Sequence, residues 1–401
     1  MAALSVEEAL ARILTGVTAL DSEIVSLPDA HGRILAANVS ARLTQPPFAA
    51  SAMDGYAVRL ADIARLPATL SVVGEAAAGS RYPDALNPGE AVRILTGAPV
   101  PTGSDAIVIQ ENAERTGPTL TIREGCPDPD HIRPKGGDFT QGQLILQAGR
   151  SLDARALTLA AASGHATLPV RRRPRVAILA TGNELVPPGT LPGPDQIVSS
   201  NPIGLAALVR AFGGEPILLG IAPDNLTDTV DHLAQARDAD IVVTTGGASV
   251  GDHDLVRPAF EQLGVKLDFW KLAMRPGKPM LFGRLGHQRM LGLPGNPVSA
   301  LITARVFLAP LITALLGKPA SVTEPHMATL DTPLEANGPR QHYMRAIVTQ
   351  TSSTTQTVAP VANQDSSLLV PLAQANALIV RPPHAPAIGK GTSVPVISID
   401  F

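Results

Sequence analysis

The sequence predicts a multidomain α/β protein, and three observations lead there. Between residues 175 and 317, strand-like runs alternate with helical ones across glycine- or proline-bearing loops, the pattern of a parallel sheet with helices on both faces. Residues 46–139 read instead as short strands joined by turns, a β-rich module. After Lys318 the character changes again, to short alternating runs whose length and turn spacing suggest a small β-barrel.

Composition sets limits on function. A chain of 401 residues has room for roughly two to four domains. Its hydrophobic content of 45% supports real cores, and 35 Gly with 37 Pro imply many loops. A net charge of −3 and only 3% aromatic residues argue against a nucleic-acid surface. Cys126 is the single cysteine, which excludes an internal disulfide and a thiolate zinc cluster. The opening MAALSVEEALARIL has early acids and no basic leader, and no uninterrupted apolar run reaches spanning length. A cytoplasmic protein without a membrane segment is expected.

Along the chain, Ser5 and Glu8 form a capping-box pattern ahead of Leu10, Ile13, Leu14 and Val17 at helical spacing. Residues 22–45 read as short strands with turns at Pro28-Asp29 and His31-Gly32. Pro46-Pro47 then breaks the chain, and Asp54-Gly55 is a turn ahead of a strand over 56–59. Further strands are predicted at 69–74, 91–95 and 106–110, and their loops carry Asp54, Thr96 and Asp138. Ordinary turn chemistry also accounts for each of those three residues taken singly. Asp153 caps a helix ending near Gly164, and Arg171-Arg172-Arg173-Pro174 reads as a solvated basic joint.

In the α/β region the predicted strands are 176–180, 216–221, 240–245, 265–273, 280–284 and 288–291, with a helix over 202–212 and another that Asp224 caps. In the last region they are 326–330, 342–350, 356–361, 377–380 and 394–399.

Residues 240–254, DIVVTTGGASVGDHD, are the chemical centre of this pattern: a β-branched strand, two glycines, then Asp252 and Asp254. Ligands of open α/β sheets sit beyond the carboxyl ends of strands. Amides exposed at Gly246-Gly247 suit an anion, and carboxylates suit a cation. Other strand ends add Glu184 and Asp224, while Lys271, Arg275 and Lys278 place three cations within eight residues. Pro294-Gly295-Asn296-Pro297 stiffens the backbone before Ser299 at a helix start, where amides favour an anion. Surface ion pairs around a glycine turn would look similar. An anionic, phosphorylated ligand with a magnesium-type ion accounts for more of the pattern. No HExxH or GxxxxGK[ST] is present, which removes a zinc protease and a P-loop NTPase; His253 is read as incidental.

SAMDGYAV (51–58), ILTGAPVP (94–101), ATGNELV (180–186), TTGGASVGDHD (244–254), FWKLAMRPGKP (269–279) and LPGNPVSA (293–300), in that order, resemble the molybdopterin molybdenumtransferase (MoeA) family, shared with the E domain of gephyrin. The resemblance covers nearly the whole chain. It implies an elongated homodimer of four-domain chains: a discontinuous domain I (1–45 plus 140–171), an inserted β-rich domain II (46–139), an α/β domain III (172–317) similar to molybdopterin adenylyltransferases, with a mixed, mainly parallel sheet and helices on both faces, and a β-barrel domain IV (318–401). The implied reaction joins molybdate to adenylylated molybdopterin with Mg²⁺-dependent cleavage of the phosphoanhydride, releasing molybdenum cofactor and AMP. Implied partners are small-molecule substrates, the adenylyltransferase, and apo-molybdoenzymes or their chaperones.

By the same resemblance, Asp54 and Thr96 of one subunit face Glu184, Asp224, Asp254 and Lys271 of the other, and Asp138, in RPKGGDF, matches the acidic residue of the family's RxxGxD-type loop. Glu184, Asp54 and Asp254 are the implied Mg²⁺ ligands. Arg275, Lys278, Ser299, Arg340 and Ser366 are the implied pocket for molybdate and pterin phosphate, with Pro294 and Pro297 shaping the cleft. Three departures stand out: Asn183 where the family usually has an acid, Gly137 where Glu is frequent, and Arg275 where many members have lysine. Rival readings are a molybdopterin adenylyltransferase, a gephyrin-like scaffold, and an oxyanion-binding protein without turnover.

Overall fold

A computed structural model describes residues 3–125, 127–247, 255–319, 325–350 and 356–399. The chain forms two compact units, Ile24–Val170 and a second made of Met1–Glu23 with Arg171–Phe401.

The unit Ile24–Val170 is built on a six-stranded sheet in the order Ala106–Ile109, Gly55–Val58, Glu90–Ile94, Ala68–Ala76, Thr119–Ile122, Ala113–Thr116. Tyr56, Val58, Leu70, Val108 and Leu120 form one core, and Ala57, Val92, Ile94 and Ile107 form another. The strand Gly55–Val58 is therefore buried on both faces, which is why it is apolar throughout. Gly55 is required there, since a Cβ would lie 2.0 Å from the Val108 carbonyl oxygen. As predicted, Asp153 caps a helix, Ala154–Ala162, by accepting from the Ala156 amide at 2.8 Å. Ala156 and Ala160 pack that helix against Leu35, Val39, Leu146, Leu168 and Val170.

The other unit holds the predicted mixed sheet, in the order Glu215–Ala222, Arg175–Thr181, Ile241–Thr245, Gln288–Leu293, Pro279–Leu285, Lys266–Lys271. The first four strands are mutually parallel and the last two join antiparallel. Val176–Ala180 and Ile241–Val243 are fully enclosed, as central strands covered on both faces must be.

Arg172 is no solvated joint. It donates both terminal nitrogens to the carboxylate of the buried Asp240, at 2.7 Å each, and the Arg175 amide adds a third bond of 2.7 Å. Asp240 raises the Arg172 pKa further, chiefly through those hydrogen bonds. The pair ties the chain entering the domain to the amino end of its central strand.

The capping box of Ser5 and Glu8 forms as predicted, on the helix Val6–Leu14. Its fully buried line is Val6, Ala9 and Ile13; Leu10 and Leu14 sit at the margin of that stripe. Among the described residues one helical stretch, Pro297–Leu315, matches a membrane span in length and apolarity, and 78% of it is buried inside the fold, as a core helix is. It contains a π-helical turn over Ala304–Leu308, and Arg305 interrupts its apolar run with its guanidinium 5.1 Å from the Phe212 ring centre.

Five strands, Gln341–Gln350, Gln356–Pro360, His326–Leu330, Ser393–Ser398 and Ala377–Arg381, close into the expected barrel. Ala328, Leu330, Ala346, Val358, Ile379, Val394 and Val396 fill it. A short strand that the sequence does not announce, Met274–Arg275, adds to the barrel's edge, pairing parallel with Gln341 and His342.

Candidate functional site

The strand directions decide where chemistry collects. Four parallel strands end on one edge of the α/β sheet, at Thr181, Ala222, Thr245 and Leu293. Lys266–Lys271 runs in the same sense, and Pro279–Leu285 starts on that edge. Glu184, Asp224, the Gly246-Gly247 turn, Lys271, the 275–279 loop and the 294–297 loop therefore all belong to a single rim.

Asp224 and Asn183 lock two of these loops together. The Asn183 amide donates to Asp224 Oδ2 at 3.1 Å, and the Asp224 amide donates to Asn183 Oδ1 at 3.0 Å. An asparagine makes the second bond as well as an acid would and adds no negative charge beside Glu184. Glu184 and Asp224 are both exposed on the rim. Asp224 is not the cap of the following helix. Asn225 caps Leu226–Ala234, accepting from the Asp228 amide at 2.8 Å.

At the central crevice, Gly246 has φ +93° and a Cβ there would lie 2.3 Å from the Thr181 carbonyl, so only glycine fits. Asn201, which lies in none of the sequence motifs, braces this turn. Its Nδ2 donates to Thr245 Oγ1 at 2.8 Å and to the Gly295 carbonyl at 2.7 Å, joining the strand end to the 294–297 loop. The SSN triplet opening a helix was the available signal. Asp254, with Asp252 and His253, lies outside the described residues.

Ser366 lies against the proline loop: Asn296 Nδ2 donates to its hydroxyl at 3.0 Å, and the Val298 amide donates to its carbonyl at 3.1 Å. That second bond occupies one of the helix-start amides the sequence offered to an anion. Ser299 is buried, 5% exposed, in the first turn that Pro297 begins. Arg345 holds the Ser366 loop from beneath. Only 1% exposed, it donates to the carbonyls of Leu368, Asn363 and Asp365 at 2.9, 3.0 and 2.9 Å.

Lys271, Arg275, Lys278 and Arg340 supply the positive side. Among the described residues none of their side chains has a recorded hydrogen bond or ion pair. The Lys271 strand end is pinned by the amino-terminal segment: the Leu4 amide donates to the Lys271 carbonyl at 3.1 Å, and the Ala273 amide to the Leu4 carbonyl at 2.7 Å.

In the unit Ile24–Val170, Asp54 and Thr96 meet. The Thr96 amide and hydroxyl both donate to Asp54 Oδ1 at 2.7 Å. These bonds, amide first, hold the carboxyl below the usual aspartate range, with a smaller contribution from the Arg93 charge. Arg93 donates to the Gly55 carbonyl at 3.1 Å and lies 5.1 Å from the Tyr56 ring centre. Asp138 is exposed in a separate turn anchored by its amide to the Gln45 carbonyl at 3.1 Å, and no side-chain bond joins it to Asp54 or Thr96.

Among the described residues no three acidic, histidine or cysteine side chains converge as a metal cage. Mg²⁺ rarely uses such a cage; it is held by one or two carboxylates together with substrate phosphates and water. The exposed acids of the rim, Glu184 and Asp224, are of the kind that donor set uses.

Three family profiles match the chain in order: the MoeA N-terminal region (domain I and II) over 4–164, a probable molybdopterin binding domain over 177–314, and the MoeA C-terminal region (domain IV) over 327–399. A molybdopterin molybdenumtransferase of Nostoc is 39% identical over 94% of this chain and 89% of its own. Molybdopterin molybdenumtransferase 2 of Mycobacterium tuberculosis is 37% identical over 93% and 94%. A crystal structure of a molybdopterin biosynthesis MoeA protein from Pyrococcus horikoshii, 28% identical, covers 100% of both chains with a TM-score of 0.87. With its rim of strand ends, its closed barrel and these matches from end to end, the chain belongs to the molybdopterin molybdenumtransferase (MoeA) family.

Proposed function

We propose that this chain inserts molybdate into adenylylated molybdopterin, cleaving the phosphoanhydride and releasing molybdenum cofactor and AMP. The observation that carries the reading is the rim itself. Exposed acids at Glu184 and Asp224 stand on the same sheet edge as Lys271, Arg275 and Lys278, in a chain that matches named molybdenumtransferases along its length. Both substrates are strongly anionic, and among the described residues these cations have no hydrogen-bond or ion-pair partner that would compete for them.

In this reading Arg275, Lys278 and Arg340 neutralise molybdate, with Ser299 and Ser366 lining the pocket and Pro294 and Pro297 shaping it. Lys271 offsets the charge of the pterin phosphate. Asp224 and Asp138 orient the substrate, and Thr96 fixes the direction of the Asp54 carboxylate. Glu184, Asp54 and Asp254 would hold Mg²⁺, which when bound would shield the anhydride's charge.

The same reading takes the chain as a cytoplasmic homodimer divided into four domains at the boundaries given above, receiving its substrate from an adenylyltransferase and passing its product to apo-molybdoenzymes or their chaperones. Mixing copies carrying Asp54→Ala with copies carrying Glu184→Gln tests the shared site. Activity regained on mixing supports it, and two inactive variants that stay inactive despite exchanging subunits contradict it. A nucleotide assay separates transfer from adenylylation: AMP must appear from adenylylated molybdopterin, and consumption of ATP instead would identify an adenylyltransferase.

A further inference from the structure

Arginines converge on one histidine at the barrel's edge. His342, 8% exposed, pairs in register with Arg275 on one side and Arg381 on the other. In-register neighbours stand about 5 Å apart and share a face of the sheet. Arg340 immediately precedes this strand, and Arg345 lies three residues beyond His342.

Two of the four arginines are committed elsewhere. Arg381 donates to the carbonyls of Pro386 and Glu335, and Arg345 to the Ser366 loop. Arg275 and Arg340 have no recorded side-chain partner among the described residues. Glu7 acts on the neighbouring Tyr343. Among the described residues, the charges that act on His342 are all positive: Arg275, Arg340, Arg345 and Arg381. Burial first, then these four guanidinium groups, push the imidazole down to about 4, so it is neutral near pH 7. A cluster of one sign repels itself until an anion docks. A dianion at Arg275 and Arg340 would cancel that repulsion and favour the imidazolium.

We propose that His342 is a further positioning residue of the oxyanion pocket, taking a proton from solvent as a tetrahedral dianion docks against Arg275 and Arg340 and then donating a hydrogen bond toward it. This rests on the reading that those two arginines bind molybdate.

The experiment is calorimetric titration of the full-length protein with molybdate alone, in buffers of different protonation enthalpy, from about pH 5 to about pH 8. Sulfate, whose own protonation lies far below this range, serves as second probe. The expected result is proton uptake on binding, with affinity tightening by up to about tenfold per pH unit as pH falls, and loss of both effects in His342→Gln. Binding that Arg275→Ala and Arg340→Ala weaken, with no proton uptake or with uptake unchanged in His342→Gln, overturns the inference and leaves the pocket standing. Binding indifferent to both arginine substitutions defeats the pocket and the inference with it. Should His342→Gln not fold, NMR titration of the His342 ring in the unsubstituted protein decides: a midpoint raised by saturating molybdate supports the proposal, and an unmoved midpoint overturns it.

Discussion

Thr96 gives both its amide and its hydroxyl to the same oxygen of Asp54, each at 2.7 Å. One carboxylate oxygen is thereby saturated, and among the described residues the other accepts no hydrogen bond, on an exposed loop next to the tightly packed Gly55.

Because Thr96 favours the charged form, Asp54 stays ionised to a lower pH than an ordinary aspartate. Asp54→Ala is expected to fold normally and lose on the order of 10²-fold in cofactor formation. Thr96→Val keeps the amide bond and removes the hydroxyl one, so it should cost about tenfold and move the acid limb of the pH–rate profile upward. Melting curves and cofactor yield across pH check both, and an acid limb that does not move would count against the pairing.

Asp240 is 5% exposed and depends on Arg172 for its compensation. Arg172→Ala would strand a buried carboxylate and should destabilise the fold by about 3 kcal/mol, the lower end for a broken buried pair because the arginine is partly exposed. Urea unfolding measures this. A loss below about 1 kcal/mol, the worth of a surface pair, would show the pair to be dispensable.

Asn201 joins the Gly246 turn to the proline loop through two hydrogen bonds. Asn201→Ala leaves its acceptors on both loops without a donor, and about 1–3 kcal/mol of stability should go with them. Since it braces the rim from behind, kcat is expected to fall more than KM rises, and Asn201→Asp, lacking the donor, should not rescue. Steady-state kinetics on the variants would refute this if both parameters stayed at the parent values.

The buried histidine makes stability depend on pH. In the unfolded chain His342 titrates near 6.5, and in the folded one near 4. Between those values the unfolded chain binds a proton that the folded chain refuses, so stability declines as pH falls from 6.5 and levels off below 4. The total is about 3 kcal/mol. His342→Gln should remove that share of the acid sensitivity, measured as the difference in unfolding free energy between the two proteins at neutral and acid pH. A difference independent of pH contradicts it.

Much of this was legible in the chain. RVAILAT and IVVTT are strands and read as strands, because burial on both faces favours short apolar, β-branched runs. Turn residues marked their ends, and the barrel strands fell within a residue or so of their predicted limits. What stayed hidden was long-range pairing. Nothing near Arg172 announces Asp240, 68 residues away. The two-residue strand Met274–Arg275 is too short to show a period, so its union with Gln341 and His342 could not be read. Asp224 and Asn225 are both good caps, and only the bond to Asn183 decides that Asp224 is occupied elsewhere.

The most direct measurement incubates the purified protein with adenylylated molybdopterin, molybdate and Mg²⁺, following AMP and molybdenum cofactor in the same samples. The account predicts that both appear together, in equal amounts, only when molybdate is present, and that Glu184→Gln and Arg275→Ala suppress both. AMP released without cofactor, or cofactor formed equally well by those variants, would contradict it.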